Sequence, residues 1–216
     1  ETLARFGRLD AVINNAGFVR DRMFVSCSEQ EWDAVLRVHL KGHFCLAHHA
    51  SEYWRNESKA GRQPNARLIN TSSGAGLQGS VGQSAYSAAK GGIATLTLIQ
   101  AVELARYGVT SNAIAPSART RMPEGPFAAR MKTPESGFDT MHPGNIAPLV
   151  AWLCSAEARD VTGQVFEIAG GELSVASGWR TGPRLDKGAR WAADEIGAAL
   201  QDLLAKATPA QKVYGA

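Results

Sequence analysis

Four short apolar runs recur along the chain, each closed by a turn or a break: Leu9–Asn14 (LDAVIN), Arg67–Thr71 (RLINT), Val109–Ala115 and Gln164–Ile168. Longer segments with helical periodicity separate them. Strands that alternate with helices need crossover connections, so they pair in parallel and carry helices on both faces of the sheet. The pattern predicts an α/β fold, a Rossmann-like doubly wound parallel sheet. At 216 residues the chain is long enough to bury a sizeable core as one domain.

Ser28 with Glu31 three residues later has the spacing of a capping box, and predicts one long helix over 29–56. A second helix is expected over 86–107, ended by Gly108, and a shorter one over 146–155. The third strand is expected to stop at Pro116. Prolines, glycines and charges over 121–143 predict a long irregular excursion. Past Gly171 the tail holds one more amphipathic helix, with Ala192, Ile196, Leu200 and Leu203 on one side. The helix after Lys90 (GGIATLTLIQAVELA) is apolar nearly all round, more than a sheet can cover. A second copy should bury the rest, giving a homodimer or homotetramer through the helices at 29–56 and 86–107.

Composition excludes several function classes. A formal net charge of +3 with scattered basic residues argues against nucleic acid. No apolar run approaches the roughly 20 residues needed to span a bilayer, so no membrane partner is expected. Cys27, Cys45 and Cys154 form no CxxC or even-numbered framework, which suits a reducing, cytoplasmic location. The chain does not start with Met, and its opening, ETLARFGRLD, reads as the end of a helix running into a strand; a fragment is expected. His39 and His43 are spaced as zinc ligands on a helix can be, and His48-His49 follow. No carboxylate or cysteine completes a set at a known spacing, so no metal is expected.

Gly74, Gly76 and Gly79 spell a literal G-x-G-x-x-G. A pyrophosphate loop needs its glycines where a strand turns into a helix, whose N-terminal amides face the phosphates. The sequence predicts no helix inside the motif, the next one beginning near Tyr86, and no acidic residue stands at the distance that would hold a ribose. The glycines are expected to let the loop turn closely over a ligand. Tyr86 and Lys90 are four apart and share a helix face. An ammonium there favours a phenolate, and general-base work near neutrality needs a tyrosine shifted down by about two or three units from its usual value near 10. Ser73, at the end of a strand, can hydrogen-bond a substrate oxygen.

These residues do not occur alone. Asn14-Asn15-Ala16-Gly17, Ser73, Tyr86-Ser87-Ala88-Ala89-Lys90 and Asn112-Ala113-Ile114-Ala115-Pro116 follow in this order, and with them the sequence resembles the short-chain dehydrogenase/reductase family up to Gly171. The resemblance implies that Tyr86 is the general acid/base, that Lys90 lowers its pKa and binds the nicotinamide ribose, and that Ser73 orients the substrate carbonyl. Asn14, Ala16, Gly17 and Pro116 would then line the cofactor, NAD with NADP not excluded. His39 stands where the family usually has a catalytic Asn that holds a relay water partly through its carbonyl; its side-chain contribution is open. The family's glycine-rich loop and first strands have no counterpart, an absence of roughly 75 to 90 residues at about 30 per βαβ unit. Residues 1–171 would be the C-terminal part of the dinucleotide-binding domain, and 172–216 an extension of the same domain.

The segments NNAGFVRDRMF, RVHLKGHF, GQSAYSAAK, IAPSARTRM and APLVAWLC further resemble the (3R)-hydroxyacyl-CoA dehydrogenase unit of the peroxisomal type 2 multifunctional enzymes of β-oxidation and its bacterial relatives in fatty-acid and sterol side-chain breakdown. That implies hydride transfer between a secondary alcohol, a 3-hydroxyacyl-CoA, and a nicotinamide. Arg119 and Arg121, with Arg130 and Lys132 nearby, would meet coenzyme A phosphates, although solvated surface charge is the better reading for any one of them. A 3-oxoacyl-carrier-protein reductase, a hydroxysteroid dehydrogenase, or an inactive fragment acting only as an assembly partner remain alternatives.

Overall fold

The computed structural model describes residues 1–119 and 132–215. Contacts divide them into two compact units, one of 1–176 together with 213–216 and one of 177–212.

In the larger unit, helix α1 (Thr2–Phe6) precedes strand β1 (Ala11–Asn14). Helices α2 (Glu29–Leu36) and α3 (Gly42–Lys59) lead to β2 (Ala66–Thr71), and α4 (Gly74–Gln78) and α5 (Ser84–Ala105) lead to β3 (Val109–Ser117). Then come α6 (Ala147–Leu153), β4 (Val165–Ala169) and β5 (Glu172–Val175). Among the described residues these strands form one sheet in the order β1-β2-β3-β4-β5. The first four are parallel, and β5 is antiparallel to β4.

Strand β2 is buried along its whole length because both faces are covered. Leu68 faces a core of Val12, Ala47, Ala50, Trp54, Leu104 and Val109, built with α3 and α5. Its neighbour Ile69 faces the other way, into Ile114, Leu149, Leu153 and Ile168 beside α6. Period-2 alternation on one strand thus feeds two cores, as a doubly wound sheet requires.

Four local expectations are corrected. The helix predicted over 29–56 is two helices joined by a π-helical segment, Arg37–Lys41, and it runs on to Lys59. Its start is as predicted: the Ser28 hydroxyl accepts from the Glu31 amide at 3.2 Å, and the Glu31 carboxylate accepts from the Ser28 amide at 3.1 Å. A helix does begin inside the glycine motif, at Gly74, with the Ser73 hydroxyl accepting from the Ala75 amide. The reason is packing. A methyl on Gly76 would lie 2.5 Å from the Lys90 backbone, so this glycine lets α4 press against α5 rather than arch over a ligand. Strand β3 runs through Pro116 to Ser117, paired with β4, and the antiparallel β5 was not foreseen.

The smaller unit holds α6's successor α7 (Ala193–Lys206), which buries none of its residues. Lys187 pairs with Glu195 at its start, and Lys206 with Asp202 at 2.7 Å near its end. Among the described residues no helix is long and apolar enough to cross a membrane.

Candidate active site

Ser73, Tyr86 and Lys90 converge because two elements meet. Strand β2 ends at Thr71, the chain turns at Ser72 and Ser73 into α4, and α5 packs back across it. The Ser72 hydroxyl donates to the Lys90 carbonyl at 2.8 Å, and the Lys90 ammonium donates to the Thr71 carbonyl at 2.7 Å. Both contacts tie the first turns of α5 to the carboxyl end of the strand. Lys90 is 3% exposed, its Nζ lying 5.6 Å from the centre of the Tyr86 ring. Burial pushes its pKa down to about 8, so it is still mostly charged at neutral pH.

Tyr86 departs from the expected direction. Burial raises its pKa, the hydrogen bond with Ser73 pulls it partly back, and the charge of Asp21 raises it further. Asp21, held by the Gln83 amide at 3.0 Å, was not singled out from the sequence; it sits in the FVRDRMF segment, but only the fold brings it near α5.

His39 lies in the π-helical segment, buried, its ring perpendicular to Tyr86 with centroids 5.2 Å apart. Its Nε2 is 2.6 Å from the Phe18 carbonyl and 3.1 Å from the Phe18 amide. The shorter contact assigns the proton to Nε2, leaving Nδ1 buried without a partner among the described residues. Gly17 makes this possible, since a methyl there would fall 2.3 Å from the imidazole. Burial lowers the pKa of His39 despite the bond to Phe18. The His39 carbonyl accepts from His43 Nδ1 at 2.7 Å, so the backbone group the family would use is engaged within the helix. π-Helical bulges of this kind are frequent at functional sites.

The other predicted residues separate. Asn14 is buried and donates to Asn70 at 3.0 Å, so its side chain serves the core, leaving its backbone and the turn through Ala16 and Gly17 for a ligand. Pro116 lines a cleft of about 480 Å³ together with Ser73, Gly74, Ser117, Glu167 and Tyr214. Arg119 is held in a two-pronged pair by Asp139, at 2.7 and 2.9 Å. Arg121 and Arg130 lie outside the described residues. The group nearest to a metal set among the described residues is His48, His49 and Glu52, exposed on α3 with ligand atoms within 4.8 Å of one another. Glu52 is thus a carboxylate that the spacing argument overlooked.

The family model described as "Enoyl-(Acyl carrier protein) reductase" matches residues 1–172. The chain belongs to the short-chain dehydrogenase/reductase family. It is 44% identical over 208 residues to the hydroxyacyl-CoA dehydrogenase ChsB1 of Mycobacterium tuberculosis, covering 95% of this chain and 66% of that protein. It is 39% identical over 179 residues to the mouse peroxisomal multifunctional enzyme type 2, covering 83% of this chain and 23% of the relative. The crystal structure of a short chain dehydrogenase from Mycobacterium avium superposes with a TM-score of 0.89 at 61% identity, covering 99% of this chain and 70% of that one. The chain therefore spans about two thirds of the length of ChsB1 and under a quarter of the mouse enzyme.

Short-chain dehydrogenases/reductases use a nicotinamide dinucleotide, and the residues here fit its nicotinamide end. Lys90 has three N–H donors and gives one to Thr71, leaving two that can meet ribose hydroxyls. Pro116 and Ser117 close the adjoining cleft at the carboxyl end of β3, where ligands of open parallel sheets bind.

Proposed function

We propose that the enzyme containing this chain oxidises the 3-hydroxyl of a (3R)-hydroxyacyl-CoA, with NAD as the hydride acceptor. The observation that carries this reading is the meeting of Ser73, Tyr86 and Lys90 at the carboxyl end of β2, where a buried ammonium is fixed beside a phenol and a hydroxyl. When bound, the oxidised nicotinamide supplies the two-electron acceptor and a positive charge. In this proposal Ser73 holds the alcohol oxygen and Tyr86 takes its proton while the carbon–hydrogen bond breaks. Lys90 binds the ribose and offsets the burial that otherwise keeps the phenol protonated. His39 packs the Tyr86 ring from the side. Arg119 would serve coenzyme A only by releasing Asp139.

A 3-hydroxyacyl-CoA is favoured over other alcohols by the two relatives named for hydroxyacyl-CoA and peroxisomal multifunctional chemistry. A carrier-protein-linked substrate is the second reading, supported by the description of the matching family model. We further propose a cytoplasmic homo-oligomer formed through α3 and α5, whose Phe44, Leu46, Leu98, Ile99 and Val102 are exposed.

The test is turnover by the complete enzyme on (3R)- and (3S)-hydroxyacyl-CoA, a carrier-linked hydroxyacyl group and a hydroxysteroid, with NAD and NADP in turn. Preference for the (3R)-acyl-CoA with NAD is expected. Faster turnover of the carrier-linked substrate would move the assignment to the second reading, and a preference for the steroid would remove both.

A further inference from the structure

The last residues of the chain return to the larger unit and are tied to the loop that follows α4. The Tyr214 amide donates to the Gly79 carbonyl at 3.2 Å, and the Val81 amide donates to the Tyr214 carbonyl at 2.9 Å. Ser80 and Tyr214 thereby form a parallel bridge outside the main sheet. Side chains back it from both directions: a methyl on Gly79 would lie 3.5 Å from Val213, and one on Gly215 would lie 3.5 Å from Val81. The strap places the Tyr214 side chain against the N-terminus of α4. A methyl on Gly74 would lie 2.9 Å from its hydroxyl oxygen and 3.1 Å from its ring. Tyr214 is 42% exposed, and it lines the same cleft as Ser73, Pro116 and Glu167.

We propose that Tyr214 is a specificity-determining residue: strapped beside Ser73 by the bridge to Ser80, its ring forms a wall of the substrate cleft and selects for bulky, ring-bearing acyl groups over short linear ones. The proposal rests on the assignment of Ser73, Tyr86 and Lys90 as the reacting site, and it adds to it a wall residue far away in sequence. The chemistry follows from the ring. A phenol is flat and rigid, presenting a large apolar face for little conformational entropy, with a polar tip that tolerates the wet mouth of a cleft. The cleft of about 480 Å³ is shared between the nicotinamide end beside Pro116 and the acyl group beside Tyr214, and falls within the roughly 300–1,000 Å³ typical of sites that enclose a drug-sized molecule. Small acyl groups would leave the ring largely uncovered. A fused-ring or branched group would lie against it. Gly74 belongs to the same device, since any side chain there would push the ring out of its place.

The experiment is a double-mutant cycle on the complete enzyme with NAD, read as KM and kcat across a series of secondary-alcohol substrates of increasing bulk. Tyr214→Ala is expected to raise KM for the ring-bearing substrate about tenfold relative to the four-carbon one. Tyr214→Phe should restore the discrimination, because the face is kept and only the tip is lost. Gly74→Ala should weaken the discrimination in the parent and have no such effect in the Tyr214→Ala background, where the obstructing ring is gone. Equal changes in KM for small and bulky substrates, or a Gly74→Ala effect that persists without the ring, would overturn the proposal. The series is run on whichever alcohols the parent oxidises, so failure of the acyl-CoA assignment shows in the parent and failure of the wall shows in the ratio. Hydrogen exchange at Val81 adds a readout independent of turnover: its amide should lose protection when residues 213–216 are deleted, and unchanged protection would remove the strap.

Discussion

Two polar clusters, one between the strands and α5 and one where the first turns of α5 meet the end of β2, are treated by the fold in opposite ways. In the first, Asn14 donates to Asn70, Asn70 donates to Thr97 at 2.9 Å and to Gln100 at 2.8 Å, and Ser111 donates to Gln100 at 3.1 Å. None of its buried side-chain atoms is left without a partner. In the second, around Ser73, Tyr86 and Lys90, the buried His39 Nδ1, Ser84 Oγ and Ser87 Oγ have no partner among the described residues, and burial pushes Tyr86, Lys90 and His39 toward their neutral forms. A satisfied buried network rigidifies; an unsatisfied one carries a free-energy cost that a ligand can relieve. The first cluster holds the strands and helices in place, and the second is the one to which the proposed function assigns binding and proton transfer. The contrast predicts that substitutions in the two clusters fail in different currencies.

The largest effect should come from Tyr86→Phe. Losing the proton acceptor should lower kcat about a thousandfold, on the order of 4 kcal/mol of barrier, with the melting temperature nearly unmoved. A variant within tenfold of its parent would collapse the distinction between the clusters. Asn70→Ala is the opposite case. It strips Asn14 of its nearer acceptor and opens a void beside β2, and should cost about 3 kcal/mol in chemical denaturation. Activity of the fraction that remains folded should change little, and a selective loss of kcat at full stability would contradict the division.

His43 joins the two clusters, and its titration sharpens the boundary. Its Nδ1 donates to the His39 carbonyl, and its Nε2 faces the Thr71 amide at 3.4 Å, which needs a neutral ring. Burial first, and then the Lys90 charge, push its pKa down to about 4. The unfolded chain protonates this residue near 6.5, so between those values the unfolded state holds more protons than the folded one. Stability is therefore complete above about pH 6.5 and is lost as pH falls toward 4, by about 2 kcal/mol at pH 5. Denaturation of the parent and of His43→Gln at pH 7 and pH 5 checks this: the pH-dependent loss should shrink by that amount in the variant. Parallel losses in both would assign the acid sensitivity elsewhere.

The same contrast marks what could be read in the sequence. The four parallel strands and the capping box were legible because periodicity and cap spacing are local properties, and the grouping of Ser73, Tyr86 and Lys90 followed from the family resemblance. The break at Arg37–Lys41 was not, since helical periodicity runs through it and only the burial of His39 under Gly17 and of His43 under Thr71 explains the wider turn. The glycine motif misled because the sequence records that Gly76 is small without recording that the Lys90 backbone lies against it. Asp21 on Gln83 and Tyr214 beside Gly74 are contacts between distant segments with no spacing to betray them. Arg119 looked available for a phosphate until Asp139, twenty residues on, closed around it.

A capped helix start outside both clusters sets the smallest expected effect. Ser28 and Glu31 satisfy each other's backbone donors at the surface, as completely as Asn70 satisfies its partners in the interior, but water can replace what is lost. Ser28→Ala should therefore cost about 1 kcal/mol, a third of the Asn70→Ala penalty for a similar number of hydrogen bonds. Its kcat should match the parent's, because the loss falls on the first turn of α2, while Val35 near the helix's other end stays in the cluster that packs against Tyr86. Urea denaturation beside steady-state rates gives both numbers. A cost equal to that of Asn70→Ala would mean that burial adds nothing to the value of a completed polar network, and the line drawn between the clusters would lose its physical basis.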